Sequence, residues 1–158
     1  MNEQIKKGLG FGIASGVITT LGLIIGFYFS THSKMIVIGG ILIIAISDAM
    51  SDSLGMHISE ESEGGHSAKE IWEATFSTFF FKFVFAMTFL LWFFIFDLKM
   101  AVIVSVIWGA LLISFFSYYL ARAQEISTAK VVVEHLFIMA VVIIITYFVG
   151  EFVGRVFV

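Results

Sequence analysis

Cysteine is missing from the 158 residues altogether. That removes disulfides, thiolate metal sites and cysteine nucleophiles, and it leaves the redox compartment unmarked. Charge is also scarce: Asp, Glu, Lys and Arg together make up 13% of the chain, about half of what a soluble domain carries. The net charge of −3 lacks the basic excess of a nucleic-acid surface, so nucleic acid is not expected as a partner. There is no nucleophile elbow, no His-Glu-x-x-His and no Ser-x-x-Lys motif with its partners. Nothing therefore points to an enzyme or to a resident cofactor. The first apolar run is longer than a signal-peptide core and lacks an Ala-x-Ala-like end, so no cleavable signal peptide is expected.

What remains is apolar. The chain is 59% hydrophobic with 19 Phe and a mean hydropathy of +1.04. Such a composition calls for lipid as the solvent around most of the surface. Runs long enough for the ~20 residues that a membrane-crossing helix needs are predicted at 8–30, 35–58, 71–96, 100–121 and 131–157. A short acidic connector occupies 59–70, read either as a loop or as a helix extension in water, with Gly64-Gly65 at its middle. The expected fold is therefore all-α: one polytopic domain over 1–158 with five transmembrane helices.

Orientation follows the Lys and Arg residues of the flanks. With the N-terminus in the cytoplasm, Lys6, Lys7, Lys69, Arg122 and Lys130 lie inside, and Lys34, Lys99 and Arg155 lie outside. Most acids fall on that same inner side: Glu3, Glu60, Glu61, Glu63, Glu70, Glu73, Glu125 and Glu134, together with His57, His66 and His135. Carboxylates and imidazoles gathered at one face raise the local concentration of divalent cations; ordinary solvation of polar loops is the simpler alternative.

The first span carries Gly8, Gly12 and Gly16 every four residues, continued by Thr19 and Gly22. Small residues in such a stripe let helix backbones approach closely; packing is one role for Gly12, Gly16 and Thr19, and lining a narrow path or dimer seam is another. The second span is the informative one. Asp48, Asp52, Met56 and Ser59 share a helical face, and ionisable groups deep in an apolar helix mark ion paths or proton relays unless they merely neutralise a partner. Carboxylate oxygens with a thioether sulfur nearby suit iron(II) or manganese(II) better than calcium. The partner in reach is Lys82. Counting inward from the ends of spans two and three places Asp48 and Lys82 at a similar depth of ~15 Å. An Asp48–Lys82 ion pair is therefore expected, leaving Asp52 as the uncompensated carboxylate; a titrating Lys82 would instead couple proton movement to cation movement. At the inner end, Glu63, His66, Glu70 and Glu73 would line up as further ligands if the third helix extended inward. Ser67 with Glu70 fits a capping box that would start the helix after His66.

The stretch Ser47-Asp48-Ala49-Met50-Ser51-Asp52-Ser53-Leu54-Gly55-Met56-His57-Ile58-Ser59-Glu60-Glu61-Ser62-Glu63, with Gly16-Val17-Ile18-Thr19-Thr20 before it, resembles the vacuolar iron transporter family. That family's second helix reads like Ala-Asp-Ala-x-Ser-Met-x-x-Gly-Glu-Tyr-x-Ser-x-x-Ser-Glu, matched here at Asp48, Ala49, Ser51, Gly55, Ser59, Ser62 and Glu63. The resemblance implies a homodimer with its metal path between the first two helices of each protomer, exporting cytosolic iron(II) or manganese(II) in exchange for protons. This chain departs from the pattern at Ser15, where the family has aspartate, and at Asp52 and Met56, where it has methionine and glutamate. The family's long cytoplasmic metal-binding helices are replaced by the stretch from Glu60 to Glu70.

The expectation is thus a divalent-cation transporter in the plasma membrane of a prokaryote. Its metal ligands would be Asp48, Asp52, Met56, Glu63, His66, Glu70 and Glu73, with Lys82 and Asp48 paired or relaying protons. The alternative is a non-transporting membrane scaffold or regulatory protein whose buried charges pair internally.

Overall fold

A computed structural model describes residues 3–157. The described chain is helical: α1 (Glu3–Thr31), α2 (Lys34–Glu63), α3 (Ala68–Thr88), α4 (Leu90–Ile95), α5 (Leu98–Ala123) and α6 (Thr128–Phe157). Five stretches are long and apolar enough to cross a membrane, namely α1, α2, the α3–α4 pair over Ala68–Ile95, α5 and α6. The chain contains no proline, and the short break between α3 and α4 falls at Phe89, between α-helical turns.

Local chemistry sets the helix starts. Ser33 accepts from the Ile36 amide to open α2, and Asp97 accepts from the Met100 amide to open α5. Each supplies an acceptor to an otherwise unpaired first-turn N–H. Ser67 and Glu70 form the reciprocal capping box that opens α3. Of the stretch 59–70, the part up to Glu63 extends α2, and only 64–67 leaves the helix. Gly64 and Gly65 make that turn at φ of 69° and 82°, backbone angles that cost glycine least.

The core is organised around α1, which packs on α2, α3, α5 and α6. Of its most apolar stretch 56% is buried, against 11% for α6. The small-residue stripe explains the closeness of α1 and α3. A Cβ at Gly12 would stand 2.9 Å from both the Lys82 amide nitrogen and the Thr78 carbonyl, and one at Gly16 would stand 3.0 Å from the Lys82 carbonyl. Gly12 and Gly16 thus serve packing and bring α1 against the backbone of Lys82 itself. Val17, Leu21, Ile24, Val37, Ile41, Phe89 and Phe93 fill the interior. Outward faces are as apolar as the interior, with Phe94, Phe115 and Phe148 all exposed.

Candidate functional site

Lys82 is the most informative residue in the fold. Its side chain is among the largest that are fully buried, at 1% exposure, on the face that α3 turns to α1 and α2. A lone ammonium could not stay there. Its Nζ lies 2.6 Å from Asp48 Oδ2, forms a second ion pair with Asp52 Oδ2, and donates to Ser15 Oγ at 2.8 Å. Ser15 in turn donates to Asp52 Oδ2 at 2.7 Å. Three oxygens therefore surround one ammonium: Ser15 Oγ and Asp52 Oδ2 accept its hydrogen bonds, and Asp48 Oδ2, which has no hydrogen-bond partner, is held as an ion pair. Asp48 and Asp52, one turn apart on α2, present one face to α3. Ser15 reaches the group because it sits between Gly12 and Gly16, where α1 comes closest to Lys82.

This corrects one expectation. Asp52 is not uncompensated: it shares the ammonium with Asp48. The stem of lysine is long and flexible, so one Nζ bridges two carboxylates that are a helical turn apart. With all three groups ionised the cluster carries one net negative charge. The aspartate side chains keep 26% and 22% exposure while Lys82 keeps 2%, so the cluster is closed around the ammonium and partly open at its carboxylates. Met56 stands half-buried one turn further on and is not among the groups on the ammonium. Thr19 hydroxyl bonds back to the Ser15 carbonyl at 2.8 Å, and Thr19 lines an apolar groove between α1 and α6 with Gly22, Val142 and Thr146.

The inner-end residues separate into two groups. Glu70 is taken up by the cap, accepting from both the amide and the hydroxyl of Ser67 at 2.8 Å. Glu73 lies 3.7 Å from Lys69. Neither lines up with Glu63 and His66, because the capping box begins a new helix after the 64–67 turn. That turn instead folds His66 back over the end of α2. His66 Nε2 lies 3.6 Å from Glu60 Oε2 and 3.5 Å from Glu63 Oε2. Lys7 of α1 approaches the same carboxylates, at 3.0 Å from Glu60 Oε1 and 3.6 Å from Glu63 Oε2. Gln4 Nε2 meets His66 Nδ1 at 3.2 Å.

Two further histidines are held by hydroxyls, His57 by Thr75 at 2.9 Å and His135 by Ser117 at 2.7 Å. Sequence reasoning did not single out Glu60, Lys7 or Gln4 as site residues, and it marked Ser15 only as a departure from the family pattern, not as a partner of Lys82. Glu60 was legible only as one acid among many. No protein-family model, no curated protein and no solved structure matches this chain, so the site is read from its own residues.

Proposed function

We propose that the chain is an integral membrane protein that moves a divalent first-row cation, iron(II) or manganese(II), out of the cytoplasm in exchange for protons. The observation that carries this reading is the buried Lys82 ammonium held by Asp48, Asp52 and Ser15. An oxygen cage that holds an ammonium is also a seat for a metal cation. With Lys82 charged the seat is one charge short of neutral. A divalent cation on Asp48 and Asp52 makes it neutral once Lys82 gives up its proton. Entry of the cation and departure of a proton are thereby tied to one group. Met56, on the next turn of the same half-buried face, adds a thioether suited to a borderline cation.

Membrane insertion is supported by the five long apolar helices and by the large hydrophobic side chains on their outer faces. Ionisable residues at such a depth face a path or a partner. The outer face of α2 carries Ser47, Ser51, Gly55 and Ser59, all exposed and one turn apart. Small residues there would let a second copy approach the open side of the aspartates. This fits a homodimer with the path between copies and the N-terminus in the cytoplasm, in the plasma membrane of a prokaryote. The resemblance to vacuolar iron transporters points the same way.

A second reading is a scaffold or regulatory membrane protein, favoured by the completeness with which Lys82 is satisfied. Flux separates the two. In proteoliposomes of the purified protein, manganese(II) uptake should rise well above protein-free vesicles, and Asp52→Asn should reduce it at least tenfold. Absence of uptake by the wild-type protein would favour the scaffold.

A further inference from the structure

We propose a second divalent-cation site, at the Glu63 end of α2, with Glu60 and Glu63 carboxylates and the His66 imidazole as ligands. In this site Gln4 orients His66, and Lys7 is the counter-ion that the metal displaces. The site is separate from the Lys82 cluster and does not depend on the transport reading.

Geometry brings the ligands together. One ligand atom from each of Glu60, Glu63 and His66 lies within 4.8 Å of the others, and His66 Nε2 is 3.5–3.6 Å from an Oε2 on each acid. Donor atoms about 2.1 Å from a common metal stand about 3.0–3.4 Å apart, so the two histidine distances need only a small closure. The donor set, two carboxylates and one imidazole, suits a first-row divalent ion such as manganese(II), iron(II), cobalt(II) or zinc(II) over calcium.

Acids near a helix end are common without any metal, and two further observations set this cluster apart. Glu60 is only 2% exposed, and its Oε2, the oxygen turned toward His66, has no hydrogen-bond partner. Lys7 satisfies the other oxygen, Oε1. A buried carboxylate oxygen without a donor is costly, and it faces the point where the two other ligand atoms converge. The second observation is Gln4, 4% exposed, whose Oε1 is also buried without a partner, while its Nε2 faces His66 Nδ1. A half-turn of the Gln4 amide exchanges its two ends. Oε1 then accepts from Nδ1–H, and the Nε2 lone pair of His66 is left pointing between the carboxylates. Metal-bound histidines are usually held in this way, the far ring N–H donating to an oxygen. In the arrangement described above, Gln4 donates to Nδ1 and the Nε2 proton occupies the metal's place. Lys7 lies alongside as a tethered cation, bound to both acids.

The test uses the full chain in detergent, titrated with cobalt(II) as probe and followed by visible absorption and calorimetry. Asp52→Asn protein is titrated in parallel to keep the central cluster out of the signal. Saturable binding with ligand-field bands is expected in both proteins, with dissociation constants within about twofold of each other. Glu63→Gln and His66→Ala change residues that are 53% and 26% exposed and should not disturb folding. Each is expected to weaken binding at least tenfold, and His66→Ala should also shift the bands through loss of the nitrogen ligand. Lys7→Met should tighten binding at least tenfold by removing the competing ammonium. Failure of both proteins to bind cobalt(II), or binding that Glu63→Gln and His66→Ala leave unchanged, would overturn the site. Because the readout is binding at this cluster in Asp52→Asn protein, a loss of manganese flux would not imitate that result, nor would the result bear on flux.

Discussion

Replacing Lys82 by methionine keeps the length of the side chain and removes the charge on which the central cluster depends. Two carboxylate oxygens that now share one nitrogen would face each other directly. Oxygens on a single Nζ are at most about 5 Å apart, and two unit charges at that separation repel by about 3 kcal/mol at an effective dielectric of ~20. That agrees with the ~3–5 kcal/mol typical of a buried ion pair that loses one partner. By the scaling of soluble domains of this size, such a loss lowers Tm by roughly 10 °C. A cation seat predicts a second effect. Manganese(II) at about a hundred times its dissociation constant returns about 2.7 kcal/mol, nearly the whole deficit, because the metal takes the place of the ammonium without having to displace it. The assay is thermal unfolding of detergent-purified wild type and Lys82→Met, each with and without manganese(II), and the metal-dependent rise should be several degrees larger in the variant. Adding Asp52→Asn to Lys82→Met should recover part of the metal-free stability and abolish the part of the metal response that exceeds wild type, leaving the contribution of the Glu60–Glu63–His66 site. A Lys82→Met protein that is as stable as wild type, or one that is destabilised and indifferent to metal, would refute the reasoning.

Other substitutions probe the parts that hold this cluster. Ser15→Ala removes a hydroxyl that donates to Asp52 and accepts from Lys82; a loss of about 1.5–3 kcal/mol is expected, read by thermal or denaturant unfolding, with flux reduced but present. Gly12→Val pushes a branched side chain against the Lys82 amide and Thr78 carbonyl, and overpacking of this kind costs about 1–3 kcal/mol or more. Its manganese uptake should fall more than that of Gly39→Ala, whose added carbon meets nothing within 4 Å. Ser67→Ala breaks the capping box of α3 and should cost about 1 kcal/mol while leaving uptake unchanged, since Ser67 and Glu70 bond to each other and not to the Lys82 cluster.

Much of the architecture was legible because long apolar runs and polar breaks alternate so sharply that helix number and rough limits follow from length alone. The meeting of Asp48 and Lys82 could also be reached, since counting residues inward from two helix ends gives comparable depths. What depth cannot give is the rotation of each helix about its axis. Two acids a turn apart differ by about 5.4 Å in height, within the swing of one lysine stem, so the sharing of Lys82 by Asp52 had no separate signal. Ser15 joined the cluster only because α1 lies against α3 at Gly12 and Gly16, a fact of packing between helices distant in sequence. Glu60 was hidden for a different reason. An acidic run reads as solvated, and its burial depends on the first turns of α1, where Gln4 and Lys7 cover it. The alignment of Glu63, His66, Glu70 and Glu73 depended on a helix continuing inward; the Ser67–Glu70 capping box read in the sequence starts α3 instead, and Gly64 and Gly65, at positive φ, turn His66 back.

The most direct test follows metal and proton in the same vesicle. Proteoliposomes loaded with a pH indicator and a manganese-sensitive dye are given an inward-facing manganese(II) supply and an acidic lumen. Cation–proton exchange at Lys82 predicts manganese accumulation that the pH gradient accelerates, with the lumen turning alkaline in step, and predicts that both signals vanish in Asp52→Asn. Wild-type vesicles that admit no manganese under the gradient, or that admit it with no movement of protons, would contradict the exchange.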